Sequence, residues 1–203
     1  MNVPARYRTL AGPTEAQLRE QASRFIAYAF PIDDEVVFKE RYTQIAREHH
    51  AARHWCYAWV LGADGSVYRA HDAAEPSGTA GRPILQAIRD KGLTQVAVVV
   101  VRYFGGTLLG KAGLVRAYGG AARLALEHAT IMEHVVMDRF RVTCGHALME
   151  QVRNNVSKAG GELLDGQFDH ACHLHVALPR DRAQEIITAW TIAGAQVTRD
   201  QRR

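Results

Sequence analysis

Two glycine-rich turns hold most of the residues able to do chemistry. The first runs His71-Asp72-Ala73-Ala74-Glu75-Pro76-Ser77-Gly78-Thr79-Ala80-Gly81-Arg82-Pro83. Small residues at a helix start leave backbone N–H groups exposed, and the helix dipole adds positive potential there. Gly78, Thr79, Gly81 and Arg82 are therefore a candidate anion cradle. Plain capping and tight packing, with Arg82 in solvent, explains the same residues equally well. Asp72 and Glu75, with His71 and His54 nearby, form a polar cluster. Such acids can hold a metal or move protons, or they can cap the next helix or pair with Arg82 or Arg116. No third ligand is visible, so no metal site, cofactor or catalytic residue is assigned.

The second turn follows the apolar run Val96 to Val101 and contains Arg102, Tyr103, Phe104, Gly105, Gly106, Gly110, Lys111 and Gly113. Its Gly105-x-x-x-x-Gly110-Lys111-Ala112 spacing approaches a phosphate-binding Walker loop. Ala112 lacks the magnesium-holding hydroxyl, and no strand ends in a metal-binding Asp, which argues against nucleotide hydrolysis. If the two turns are adjacent, Arg82, Arg102, Lys111 and Arg116 converge on one anion, and Tyr103 can stack on a base. Elsewhere, His170-x-x-His173-x-His175 has metal-like spacing. In a strand, however, His170 points away from the other two, and structural zinc needs four placed ligands. Cys56 sits in an apolar strand and reads as a core thiol.

These residues need elements to place them. Val96 to Val101 is β-branched and apolar throughout, as suits a central strand covered on both faces. Ser23 to Phe30, Trp55 to Leu61 and Val67 to Ala70 read as further strands, the last two joined by a turn at Gly62-Ala63-Asp64-Gly65. Asp33, Asp34 and Glu35 load a helix start ahead of Phe38, Tyr42 and Ile45. A second helix starts near Gly81, and an alanine-rich third spans about Leu114 to Ala129. Beyond Asp138 the pattern becomes strand, helix, strand, strand, helix, strand, the order of a ferredoxin-like unit. The resulting division is a flexible lead-in over residues 1–22, one domain over 23–132 and another over 138–203.

The 203 residues are 47% hydrophobic, enough for a core. No run nears the roughly 18 apolar residues of a membrane span, and no secretory leader is visible. Three separated cysteines point to a reducing compartment, hence the cytoplasm. A net charge of +4 is compatible with RNA without requiring it.

Ser23-Arg24-Phe25-Ile26-Ala27, His54-x-Cys56-Tyr57-Ala58, Glu75 through Leu85, Val101-Arg102-Tyr103-Phe104-Gly105-Gly106 and Leu109-Gly110-x-x-Gly113-Leu114-Val115-Arg116-Ala117-Tyr118 resemble the motifs of the IMPACT/YigZ family. The resemblance implies an α+β fold of two domains. The first would be an α/β sandwich similar to a ribosomal-protein domain, and the second ferredoxin-like, similar to domains of an elongation factor. It also implies a link to translational control, since eukaryotic relatives restrain a kinase of an initiation factor by competing for its activator. The family usually has Asp-Asp-Gly-Glu-Pro where this chain has Asp72-Ala73-Ala74-Glu75-Pro76, and a glycine at the position of Ala112. The expected function is a non-enzymatic regulator binding RNA, the ribosome or a translation-control protein. The alternative is an enzyme acting on a small phosphorylated or carboxylated ligand.

Overall fold

The computed structural model describes residues 4–200 and divides into two compact units. One comprises residues 7–134; the other comprises residues 4–6 and 135–200.

The first unit contains all but the first residue of β1 (Arg6–Leu10), then β2 (Thr14–Glu20), β3 (Ser23–Pro31), α1 (Glu35–Glu48), β4 (His54–Leu61), β5 (Val67–His71), α2 (Gly81–Asp90), β6 (Val96–Tyr103), α3 (Gly110–Glu127) and all but the last residue of β7 (Ile131–Val135). Five strands form an antiparallel sheet in the order β2-β3-β6-β4-β5, and β1 pairs with β7. Successive residues of a strand face opposite sides. Hence Val96, Val98 and Val100 of β6 pack with Ile84, Ile88, Ala117 and Tyr118 of α2 and α3. Val99 and Val101 pack with Phe38 and Ile45 of α1 on the other face. The apolar run is thus a central strand covered on both sides. Asp34 caps α1 by accepting from the Val36 and Val37 amides at 2.8 and 2.9 Å.

Two expectations need correction here. The segment expected as a flexible lead-in, residues 1–22, carries β1 and β2 over its described part; residues 1–3 lie outside the described residues. Its order comes from burial of Thr9, Leu10 and Ala16, while Arg6, Arg8, Glu15 and Gln17 are exposed and mask the alternation. Helix α3 starts at Gly110, a turn earlier than Leu114, so Gly110 to Gly113 belong to the helix rather than the loop.

The second unit contains β8 (Met137–Cys144), α4 (His146–Lys158), β9 (Glu162–Phe168), β10 (Cys172–Pro179), α5 (Arg180–Ile192) and β11 (Gln196–Arg199). Its antiparallel sheet runs β11-β8-β10-β9, as in a ferredoxin-like unit. Phe140, Val142, Leu174 and Val176 face α4 and α5, which contribute Val152, Val156, Ile186 and Trp190. Asp138 accepts from Arg180 and Arg199, each at 2.7 Å.

Candidate functional site

The register of the first sheet sets the site. His54 at the start of β4 stands opposite Arg102 near the end of β6. The loop after β5 brings Glu75 over them, and α3 contributes Tyr118. Arg102 Nη1 donates to Glu75 Oε1 at 2.7 Å, and the Tyr118 hydroxyl donates to the same oxygen at 2.7 Å. His54 Nδ1–H donates to the Ala73 carbonyl at 2.9 Å, since a carbonyl can only accept. That bond fixes the ring and leaves Nε2 3.9 Å from Glu75 Oε1. Glu75 and Arg102 are both buried.

Burial, with the Glu75 carboxylate and Cys56 adding to it, holds the Tyr118 hydroxyl far above its ordinary pKa, so it remains a donor. Burial also pushes the Cys56 thiol up to about 12 despite its contact with Tyr118. Cys56 donates to the Asp72 carbonyl at 3.0 Å and stays protonated, as a core thiol rather than a nucleophile.

The first glycine turn is filled by its own aspartate. Asp72 accepts from Gly78 N at 2.8 Å, Ala80 N at 3.0 Å and Gly81 N at 2.9 Å. Burial opposes ionisation of Asp72, but the amides of Gly78, Gly81 and Ala80, with His71 nearby, outweigh it and hold the carboxyl below its ordinary value. Thr79 spends its hydroxyl on the Pro76 carbonyl at 2.7 Å. A side chain at Gly81 would overlap the His71 backbone, which accounts for that glycine by close approach. The amides read as an anion cradle thus already hold an internal carboxylate.

Beside this floor lies a cleft of about 450 Å³, lined by Arg53, His54, Glu75, Arg102, Phe104 and Lys111 together with Pro76, Leu108, Leu109, Gly110 and Leu114. Five of the residues singled out from the sequence therefore meet: His54, Glu75, Arg102, Gly110 and Lys111. Gly78, Thr79, Gly81, Arg82, Gly105, Gly106 and Arg116 do not line it. Gly105 instead packs on the Ala22 backbone so closely that a side chain would overlap it. Its amide reaches Ser23 Oγ at 3.3 Å. Tyr103 points to the opposite face of β6 from Arg102. There its hydroxyl meets His49 Nδ1 at 2.9 Å and Arg24 covers its ring at 4.5 Å. The exposed aromatic at the cleft is its neighbour Phe104, 49% exposed, and Leu108 beside it is 85% exposed. The sequence named Phe104 and Tyr118 without giving either a role at the site, and it did not single out Arg53. Strand alternation beyond Arg102 was the available signal for Phe104.

Among the described residues no three His, Cys, Asp or Glu side chains are placed to share a metal ion. No described helix is long and apolar enough to cross a membrane.

Residues 21–126 match the family model of the Impact N-terminal domain. The chain is 33% identical over 177 residues to the IMPACT family member YigZ of Escherichia coli (strain K12), spanning 86% of this chain and 87% of that one. It is 33% identical over 162 residues to the IMPACT family member YvyE of Bacillus subtilis (strain 168), spanning 80% and 71%. A crystal structure of a hypothetical protein superposes with a TM-score of 0.74 at 29% identity, covering 98% of this chain and 100% of that one.

Proposed function

Since the chain belongs to the IMPACT family, we propose that it is a cytoplasmic, translation-associated binding protein whose cleft takes a segment of single-stranded RNA. It acts by binding rather than by catalysis. The observation that carries this reading is the company Phe104 keeps: a half-exposed ring on the same cleft as the exposed cations Arg53 and Lys111. A base stacks on the ring while phosphates meet the two cations. The floor supports this division of labour. Glu75 and Arg102 neutralise each other, so the rim sets the sign of the field. The Arg102 guanidinium also lies 5.4 Å from the Phe104 ring centre, so the paired floor supports the ring from behind.

Fluorescence anisotropy with a labelled uridine-rich oligonucleotide tests the reading. Each phosphate contact on a single strand contributes about 0.7 to the slope of log affinity against log salt. Arg53→Ala with Lys111→Ala should therefore weaken binding and reduce that slope by about 1.4. An unchanged slope, or preferential capture of a protein from ribosome-associated fractions with no RNA affinity, sinks the proposal.

One observation favours a second reading, a small carboxylate or phosphate as ligand. Arg102 Nε is buried without a hydrogen-bond partner, on a side chain that lines the cleft. A raised melting temperature with inorganic phosphate, lost in Arg102→Met, supports that reading over RNA.

A further inference from the structure

The second unit holds a cluster that the RNA reading does not use. Cys144 ends β8 and Cys172 begins β10, directly opposite each other in the antiparallel ladder. Opposed residues of such a ladder have Cα atoms about 4.5 or 5.5 Å apart, within the span a disulfide bridges. Both thiols are free and buried. Cys172 Sγ is 3.4 Å from His146 Nδ1. His146 Nε2–H donates to the Asp169 carbonyl at 3.1 Å, which leaves Nδ1 as the acceptor for the thiol proton.

This is the pattern of an activated thiol: a nucleophile on a base, and the base oriented by a third group. Cys56 provides the contrast within one molecule. It is equally free and buried, but its S–H faces a carbonyl that cannot take a proton. Cys172 faces an imidazole that can. His146 is itself exposed, so the base that faces this buried thiol is in contact with solvent. Two thiols and one imidazole fall short of a structural metal site, and no described group of three ligands is placed for one.

We propose that Cys172 and Cys144 form a reversible redox pair whose oxidant is a peroxide. His146 takes the Cys172 proton, and the thiolate attacks one peroxide oxygen. The O–O bond breaks, Cys172 becomes a sulfenic acid, and the departing hydroxide takes the proton from His146 and leaves as water. Cys144 then attacks the Cys172 sulfur, and its proton leaves with the sulfenic hydroxyl as a second water. Two thiols and one hydrogen peroxide give one disulfide and two waters. A dithiol reverses the step by exchange. Burial and the neighbouring Cys172 hold the Cys144 thiol above its ordinary pKa, which suits it to resolve rather than initiate.

The full-length chain, reduced and freed of reductant, is treated with hydrogen peroxide, quenched with N-ethylmaleimide and mapped by mass spectrometry. The expected product lacks two hydrogens, carries a peptide cross-linked through Cys144 and Cys172, and reverts with dithiothreitol. Cys56 stays reduced throughout. In His146→Ala, a surface change whose fold is checked by circular dichroism, cross-linking slows about tenfold as the activating base is lost. In Cys144→Ser the reaction runs on to a sulfinic acid at Cys172. Oxidation of the pair no faster than that of Cys56 overturns the proposal. So does an unchanged rate in His146→Ala, or one zinc ion retained per chain that blocks alkylation of both cysteines.

Discussion

Arg102 Nη1 and Glu75 Oε1 are 2.7 Å apart, with 6% and 4% of their side chains exposed. Arg102 is therefore a structural counter-charge, and the cleft draws its free cations from Arg53 and Lys111. Removing one partner of a buried pair strands the other, at a cost of about 3–5 kcal/mol. Glu75→Ala also orphans the Tyr118 hydroxyl, so it should lower the unfolding free energy of the first unit by at least about 3 kcal/mol. Glu75→Leu combined with Arg102→Met should cost less than the sum of the single changes, because the contacting residues couple. Urea denaturation of the four proteins checks this; strict additivity contradicts it.

Ala74 stands at φ 67°, in the left-handed region, where the family pattern has glycine. That conformation costs alanine about 1–2 kcal/mol, while glycine's greater freedom when unfolded takes back about 0.4–1 kcal/mol. Ala74→Gly should therefore stabilise the protein by about 0.5–1 kcal/mol. Ala112 lies in the first turn of α3, so Ala112→Gly should cost up to about 1 kcal/mol. Melting temperatures should move in opposite directions for the two changes.

Asp72 ties its loop to the start of α2 through three amides, and its folded pKa is depressed below the ordinary value. A depressed carboxyl contributes stability that is fully present above its unfolded pKa and lost as pH falls through its folded pKa. Asp72→Ala should cost about 1–2 kcal/mol at neutral pH, as for a lost helix cap. The difference from the parent protein should persist above about pH 5 and shrink below about pH 4. A gap that is constant down to pH 2 would show that ionised Asp72 contributes nothing.

The positions of the elements were largely legible, because Val96 to Val101 announces a doubly covered strand and the ferredoxin-like order follows from strand and helix spacing. Residues 6–20 were less so. Their buried side chains are few, Thr9, Leu10 and Ala16, and two of the three are small or polar, while charged and polar residues between them face outward. The site divided similarly. His54, Glu75, Arg102, Gly110 and Lys111 were found because their types stand out. Their roles were not, because pairing is a matter of three-dimensional reach. Asp72 answers amides six to nine residues ahead of it, and Arg102 meets an acid 27 residues back. Tyr103 and Phe104 differ by one position in an alternating chain, and that one step places them on opposite sides of the sheet. The approach of Cys144, His146 and Cys172 depends on the β8–β10 register, which composition does not encode.

The proposed RNA reading requires Phe104 and the rim around it to touch the bound strand. Ultraviolet cross-linking of the full chain to a 4-thiouridine-labelled single strand, followed by mass spectrometry, reads that contact directly. Adducts should concentrate on the peptide carrying Phe104 and be suppressed by Phe104→Ala and by high salt, with Tyr103→Phe leaving them unchanged. Adducts confined to other peptides, or none at RNA concentrations that saturate binding, would contradict it.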